Sequence, residues 1–416
     1  VTEQRTRRAR IAWLGLFPDS PVGAAGCAID LLRGLAELGH EIDCFFPGVQ
    51  RHPPAALGDF TNVRFFFSGH LWGWGKWYSK TPTTALTSSL LTRAFGFLGL
   101  RRTLLSRHAR APYDVLYQFS NVEPFAAPPS LIKQIPLVIH PETHAAGELR
   151  WLVREHRIAR RFHPPHTIAS MWLIYGIRTV LQRRLIHRAR LVICISQVFR
   201  RHLERDYGVL VEQTAVVPNP VRTERFGPRT PDPFPSPTVI VIGRLSVRKG
   251  LDTVLDVARA LDRRGDDTRF TIIGGPSLWS DYTGLLDNAP SNVEWLGQMG
   301  PPEIAEALGT ADVLMQLSKY EPFGLTVAEA LAAGVPVVAT DEVGAAEGVD
   351  PAVARVVTVG DVAAAVDALS EMLKASRAKR AELGAIARQE ALRLFSVDVV
   401  AKRVSDALGE LVAQTG

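Results

Sequence analysis

The chain reads as short apolar, β-branched runs separated by stretches in which apolar residues recur at helical spacing. In the first half the runs fall near 10–16, 41–46, 63–67, 114–118, 136–140, 190–195 and 213–217. In the second half they fall near 238–243, 269–274, 292–296, 312–317, 335–339 and 354–358. Strands covered on both faces are apolar throughout, and strands that alternate with helices assemble in parallel. The pattern predicts an α/β protein with two doubly wound parallel sheets. Between them, VVPNPVRTERFGPRTPDPFPSPT (216–238) is the one clear Pro-rich linker and places a boundary near 220.

Charge sharpens this division. The net charge of +6 conceals 28 Lys/Arg against 15 Asp/Glu in 1–220, and 20 against 27 in 221–416. All eleven histidines lie in the first part. At 416 residues the chain is long for one core and comfortable for two. Cys27, Cys44 and Cys194 are widely spaced and odd in number, which argues against a disulfide framework or zinc knuckle and suits a reducing cytosol. No run approaches the roughly 20 apolar residues of a spanning helix. The opening VTEQRTRRARIAWLGLF has no long apolar region or small-residue cleavage site. The expectation is a cytoplasmic protein, soluble or peripheral on the membrane's inner face. No nucleic-acid-binding signature accompanies the basic excess, so it points instead to anionic lipid or a phosphate-bearing acceptor.

Two loops carry candidate chemistry. In QLSKYEPFGLTVAEALAAGVPVVAT (316–340), Glu321 follows a strand-like run and Glu329 falls one turn into a helix opening near Thr326. Strand, turn and helix aim backbone N–H groups and a positive helix end at an anion. Thr326 and Glu329 equally fit a capping box. In IGRLSVRKG (242–250), Gly243 and Gly250 allow close backbone approach, and Arg244 and Lys249 before a helix near Leu251 suit a diphosphate. A solvated basic loop would look the same. Neither a Walker A loop nor a Gly-x-Gly-x-x-Gly fingerprint is present.

Together these residues resemble the family-4 retaining glycosyltransferases of the GT-B fold. Glu321 and Glu329 match the family's E-x7-E signature, and residues 243–250 match its Gly-Arg-Leu…Lys-Gly loop. Gly23, LAELGHEI (35–42), VVPNPV (216–221) and FSVDVVAKRV (395–404) follow in the family's order. The resemblance implies two Rossmann-like domains facing a cleft. Residues 1–220 would bind acceptor, 221–397 would bind sugar nucleotide, and 398–416 would cross back to the first domain.

It also implies roles. Glu321 would bond sugar hydroxyls, helped by the backbone of Phe323, Gly324 and Leu325, and Glu329 would hold the ribose. The base would lie against 297–304, and Gly23, with Gly26 behind it, would approach donor phosphate and acceptor. His140, ending the run IPLVIH, corresponds to the histidine near the reacting sugar. His144 gives an H-x-x-x-H spacing, but Pro141 and a missing third ligand argue against a metal. Without an Asp-x-Asp motif, Arg244 and Lys249 must carry the diphosphate charge, which predicts a metal-independent reaction with no cofactor. Retention is inherited from the family. Asp19 and Glu142 stand at strand ends as acids open to solvation, and neither makes a convincing nucleophile. The working mechanism is a front-face transfer in which the leaving phosphate helps deprotonate the acceptor.

The expected activity is thus hexosyl transfer from a UDP- or GDP-linked sugar to a glycolipid, polysaccharide-precursor or small-metabolite acceptor. The alternatives are a catalytically weak sugar-nucleotide-binding subunit and another GT-B enzyme such as an epimerase. One departure from the family is Val343-Gly344-Ala345-Ala346-Glu347, where a Gly-Gly-x-x-Glu loop is usual. Finally, FFFSGHLWGWGKWYSK (65–80) and LLTRAFGFLGLRRTLLSR (90–107) interleave aromatics with cations. They suit either a membrane-facing acceptor surface, together with the Arg-rich 150–190 region, or a loop packed on its own domain.

Overall fold

The computed structural model describes residues 8–15, 17–49, 51–69, 82–120, 126–227, 236–276 and 281–415. The aromatic cluster Trp72, Trp74, Trp77 and Tyr78 lies outside the described residues. Among the described residues, every apolar run named above contains a strand. The first seven are β1 (Arg10–Leu14), β2 (Glu41–Phe46), β3 (Val63–Phe67), β4 (Val115–Ser120), β5 (Leu137–Pro141), β6 (Leu191–Cys194) and β7 (Thr214–Val216). They form a parallel sheet in the order β3-β2-β1-β4-β5-β6-β7. The second sheet holds β8 (Thr238–Ile242), β9 (Arg269–Ile273), β10 (Val293–Trp295), β11 (Val313–Gln316), β12 (Val337–Thr340) and β13 (Ala354–Val357). It too is parallel, in the order β10-β9-β8-β11-β12-β13.

In both sheets the strand order reverses beside the first strand, at β1/β4 and at β8/β11. Connections there leave toward opposite faces and open a crevice beyond the carboxyl ends, where ligands of such sheets sit. Helices α1 (Gly23–Glu37), α2 (Pro82–Arg110) and α3 (Pro129–Ile132) connect the early strands. Three helices with no strand between them, α4 (Ala145–Arg154), α5 (His156–Phe162) and α6 (Pro165–Ile186), fill the long β5–β6 connection, and α7 (Gln197–Tyr207) follows β6. The second sheet is flanked by α8 (Leu251–Arg263), α9 (Pro301–Thr310), α10 (Leu325–Ala332) and α11 (Val362–Ala378), and α12 (Arg380–Phe395) leads away from it.

The closing helix, α13 (Val397–Thr415), packs on α1 rather than on the second sheet. Val400, Val404 and Leu408 share an apolar cluster with Leu31, Leu32 and Leu35. A Cβ on Gly34 would fall 2.5 Å from that of Ala401, so the helices touch where the side chain is missing. His40 Nε2 and Ser405 Oγ lie 2.6 Å apart at the same contact. Where α12 hands over to α13, the Val221 N–H donates to the Phe395 carbonyl at 2.7 Å, so the two chain crossings between the sheets are tied to each other.

Candidate active site

A cleft of about 950 Å³ opens between the carboxyl ends of the two sheets. The second sheet presents Gly243, Arg244 and Lys249 after β8, and Glu321, Phe323, Gly324, Leu325 and Glu329 after β11. The first presents Gly23, Glu142 and Asn219, with Arg225 from the connection between the sheets. Chain topology thus brings the two loops singled out in the sequence to one switch point, opposite the N-terminus of α1.

The two loops of the second sheet are stitched together. Lys319 N–H donates to the Arg248 carbonyl at 2.8 Å, and the Arg248 guanidinium donates to the Tyr320 carbonyl at 2.8 Å. Gly250 makes this possible. Its φ is +74°, and an added Cβ would meet the Leu317 carbonyl oxygen at 1.8 Å. Lys249 Nζ is ion-paired with Glu321 Oε2. Burial alone would raise the Glu321 carboxyl, but Lys249, Arg248 and Arg244 hold it below its ordinary value. The Lys249 ammonium is pulled down by burial and supported by Glu321. Glu321 is therefore an anion that can accept from ligand hydroxyls, with Arg244 and Lys249 beside it in the cleft wall and Arg248 behind them, paired with Glu148 at 3.5 Å. Arg248, which completes the cluster, was not among the residues singled out, although it is the basic neighbour of Lys249 in the same loop.

The helix start differs from the capping box considered above. Gly324 is the N-cap of α10, at φ +99°, and Thr326 lies inside the helix with its hydroxyl on Gln316 Oε1 at 2.9 Å. Glu329 is not a cap partner. It lines the cleft, and burial pushes its carboxyl up to about 7 against the pull of Arg225. Phe323 packs edge-on against Phe395, so its ring belongs to the core and only its backbone is offered to a ligand. The first amides of α10 have no preceding turn to bond.

His140 does not line the cleft. Its side chain is fully enclosed, Nδ1 lies 2.6 Å from the Tyr117 hydroxyl, and burial lowers its basicity to about 3. The ionisable group presented from this strand end is Glu142, one of the two acids considered above, and its side chain is buried rather than solvated. Asp19, the other acid considered there, is exposed and paired with Arg51 at 3.3 Å. His144 turns elsewhere, toward the Tyr320 hydroxyl at 2.9 Å and Asp206 at 3.2 Å, so the two histidines of the H-x-x-x-H spacing serve different partners.

The departing loop 343–347 builds the domain seam. Val343 occupies the space beside Gly324, where an added Cβ would meet it at 2.9 Å. Gly344 cannot be replaced so simply, since a Cβ there would lie 2.4 Å from both the Pro322 carbonyl and Ser196. Glu347 accepts from the N–H groups of Gln197 at 2.8 Å and Val198 at 3.2 Å, capping α7 from the other domain. Ser196 Oγ donates to the Pro322 carbonyl at 2.6 Å, one residue from Glu321.

Two parallel α/β sheets that face each other across such a cleft, with a closing helix that returns to the first, define the GT-B architecture. Sucrose-phosphate synthase from Thermosynechococcus elongatus has the same fold, with a TM-score of 0.71 over 98% of this chain and 100% of that one at 20% identity. The description "Glycosyltransferase Family 4" matches residues 22–225 and "Glycosyl transferases group 1" matches 228–390. Phosphatidyl-myo-inositol mannosyltransferase of Mycobacterium leprae is 30% identical over 66% of this chain and 73% of its own length. D-Inositol 3-phosphate glycosyltransferase of Corynebacterium urealyticum is 28% identical over 49% of this chain and 55% of its own. With several curated relatives the match spans only about half of their length. The chain belongs to the family-4 glycosyltransferases of the GT-B type.

Proposed function

We propose that the protein is a retaining, metal-independent hexosyltransferase that takes its sugar from a UDP- or GDP-linked donor. The observation that carries this reading is the partly buried Lys249–Glu321 pair at the N-terminus of α10, flanked by Arg244 and Arg248 and facing Gly23 across the cleft. Fixed cations beside a helix N-terminus stabilise a departing diphosphate without reorganising, which is the charge problem of the reaction. Glu321 then holds sugar hydroxyls and Glu329 the ribose. A ribose contact is blind to the base, so the pocket around Pro301 and Pro302 would choose between uracil and guanine. A front-face transfer accounts for retention without a covalent intermediate.

The experiment is a panel of UDP-, GDP-, ADP- and dTDP-sugars scored by thermal stabilisation and nucleoside-diphosphate release, with and without EDTA. One donor should stabilise the protein and be slowly hydrolysed at a rate EDTA leaves unchanged. Loss of turnover in EDTA would remove the metal-independent reading. Binding without turnover at any pH would favour a sugar-nucleotide-binding subunit.

Two relatives are named for acceptors that carry phosphate or a phosphatidyl group, and a lipid-linked or phosphate-bearing acceptor fits the first domain's surface. On α6, Leu173, Ile177 and Val180 are exposed at helical spacing, and Arg183 and Arg184 follow in its last turn. Phe95, Leu98 and Leu105 are exposed along α2, whose last turn is likewise basic. No helix of the described residues is long and apolar enough to cross a membrane. Apolar stripes ending in arginines instead suit the plane of an anionic bilayer. Co-sedimentation with phosphatidylglycerol vesicles should exceed that with phosphatidylcholine severalfold and fall in L173S/I177S. Equal recovery from both vesicles would count against a membrane-facing surface.

A further inference from the structure

Three polar atoms on the first-domain side of the site have no protein partner: His140 Nε2, Glu142 Oε1 and Asn219 Oδ1. All three side chains are at least nine-tenths buried, and Glu142 and Asn219 line the cleft. Their other atoms are fixed. Asn219 Nδ2 donates to Glu142 Oε2 at 2.7 Å, which orients both groups and leaves the amide oxygen as a bare acceptor. Tyr117 is held protonated, its ionisation pushed far up by burial, and its hydroxyl lies 2.6 Å from His140 Nδ1. The other ring nitrogen, Nε2, faces the Glu142 carboxyl 3.7 Å away. The separation exceeds a hydrogen bond. Buried polar groups left in this state cost about 1–3 kcal/mol each unless a ligand or ordered water completes them.

Resting on the glycosyl-transfer reading, we propose that Glu142, positioned by Asn219 and His140, binds the acceptor hydroxyl and takes its proton during transfer. Two oxygen acceptors on the cleft wall, Glu142 Oε1 and Asn219 Oδ1, match a hydroxyl-bearing acceptor, such as a vicinal diol, and not a phosphate, whose charge would face the carboxylate. The step balances within the site. The acceptor O–H bond breaks and its proton goes to Glu142. The freed oxygen pair forms the new bond to the anomeric carbon, and the anomeric C–O bond breaks with its electrons leaving on the diphosphate. Glu142 thus replaces the leaving phosphate as the proton's destination, and His140 acts through it as a positioning residue.

The surroundings support a base that works near neutrality. Burial pushes the Glu142 carboxyl up to about 7, opposed by the Asn219 bond. The titratable groups around it, His140 on β5, Tyr117 on β4 and Cys27 on α1, are all held in their neutral forms by burial. Glu142 and Glu329 both change charge in the cleft between about pH 6 and 8, and Glu142 is the one on the first-domain side, so only a limb lost in Glu142→Gln belongs to it.

Donor hydrolysis tests this, with water as the acceptor and the sugar nucleotide selected by the panel above. The expected rate rises with pH through a limb near 7. Glu142→Gln should be at least 100-fold slower with that limb absent, and Glu142→Asp should keep the limb at a reduced rate. The Kd for the nucleoside diphosphate alone should stay within twofold in both. A Glu142→Gln protein that hydrolyses donor at the original rate with the same limb overturns the proposal, as does one whose loss is matched by loss of nucleotide binding. If the unaltered protein bound no sugar nucleotide, the glycosyl-transfer reading itself would fall first.

Discussion

Lys249→Ala is expected to slow sugar transfer by about 10²- to 10³-fold, the usual consequence of removing one preorganised stabiliser of developing charge. The physical reason is the cation cluster around Glu321. On the proposed reading, the departing diphosphate loses one of the two cations lining the cleft beside Glu321, and Arg244 remains. Affinity for the free nucleoside diphosphate should fall about 10- to 100-fold, since a charge-assisted hydrogen bond contributes about 1.5–3 kcal/mol. A second effect separates this account from simple loss of a positive charge. Glu321 sits below its ordinary ionisation range because of its cations, so removing the first of them raises it. The pH below which activity fades should therefore move upward. Steady-state release of nucleoside diphosphate against pH would show both effects, and an unchanged rate would place the leaving group elsewhere.

Gly250→Ala is the largest stability effect expected. The residue has a φ of +74°, which costs an L-residue about 1–2 kcal/mol. Its new Cβ would also meet the Leu317 carbonyl at 1.8 Å, and both atoms belong to backbone that is bonded in place. Forced shifts of this kind add about 1–3 kcal/mol. A total near 3 kcal/mol, set against an unfolding entropy of about 2.1 cal/mol/K per residue, would lower Tm by about 3–4 °C for 416 residues unfolding together. Gly265 supplies the control: its φ is +69° and nothing lies within 4 Å of an added Cβ. Gly265→Ala should cost only the conformational part. Equal losses in the two variants would show that the Leu317 contact is not the cause. Because Gly250 sets the loop against the end of β11, its variant should also weaken nucleotide binding, while Gly265→Ala should not.

The sheets were legible because parallel strands buried on both faces announce themselves as unbroken apolar runs, and each such run holds a strand. The cation and acid loops were legible because chemistry and punctuation coincide: glycines mark the turns and charges flank them. What escaped depended on conformation or on distant residues. Thr326 followed by Glu329 has the spacing of a capping box, but the left-handed Gly324 starts the helix two residues earlier and turns the threonine inward. Glu142 looked solvated because burial by α1 and by the 219 loop is invisible locally. His140 was placed at the right strand end, yet its ring points behind the wall, toward Tyr117. Helices α4–α6 left only a basic composition as their trace in the sequence.

The return of α13 to α1 bears on how the molecule is made. Leu31, Leu32 and Leu35 are among the earlier residues synthesised, whereas their partners Val400, Val404 and Leu408 follow the entire second sheet. A ribosome adding about 5–20 residues per second takes roughly 20–70 seconds over the 365 residues from Leu35 to Val400. During that interval the α1 face has no cover, so the nascent first domain exposes an apolar stripe that chaperones could shield. A premature stop within α12 would then strand this stripe permanently, and such a chain should aggregate even though every strand of both sheets is present.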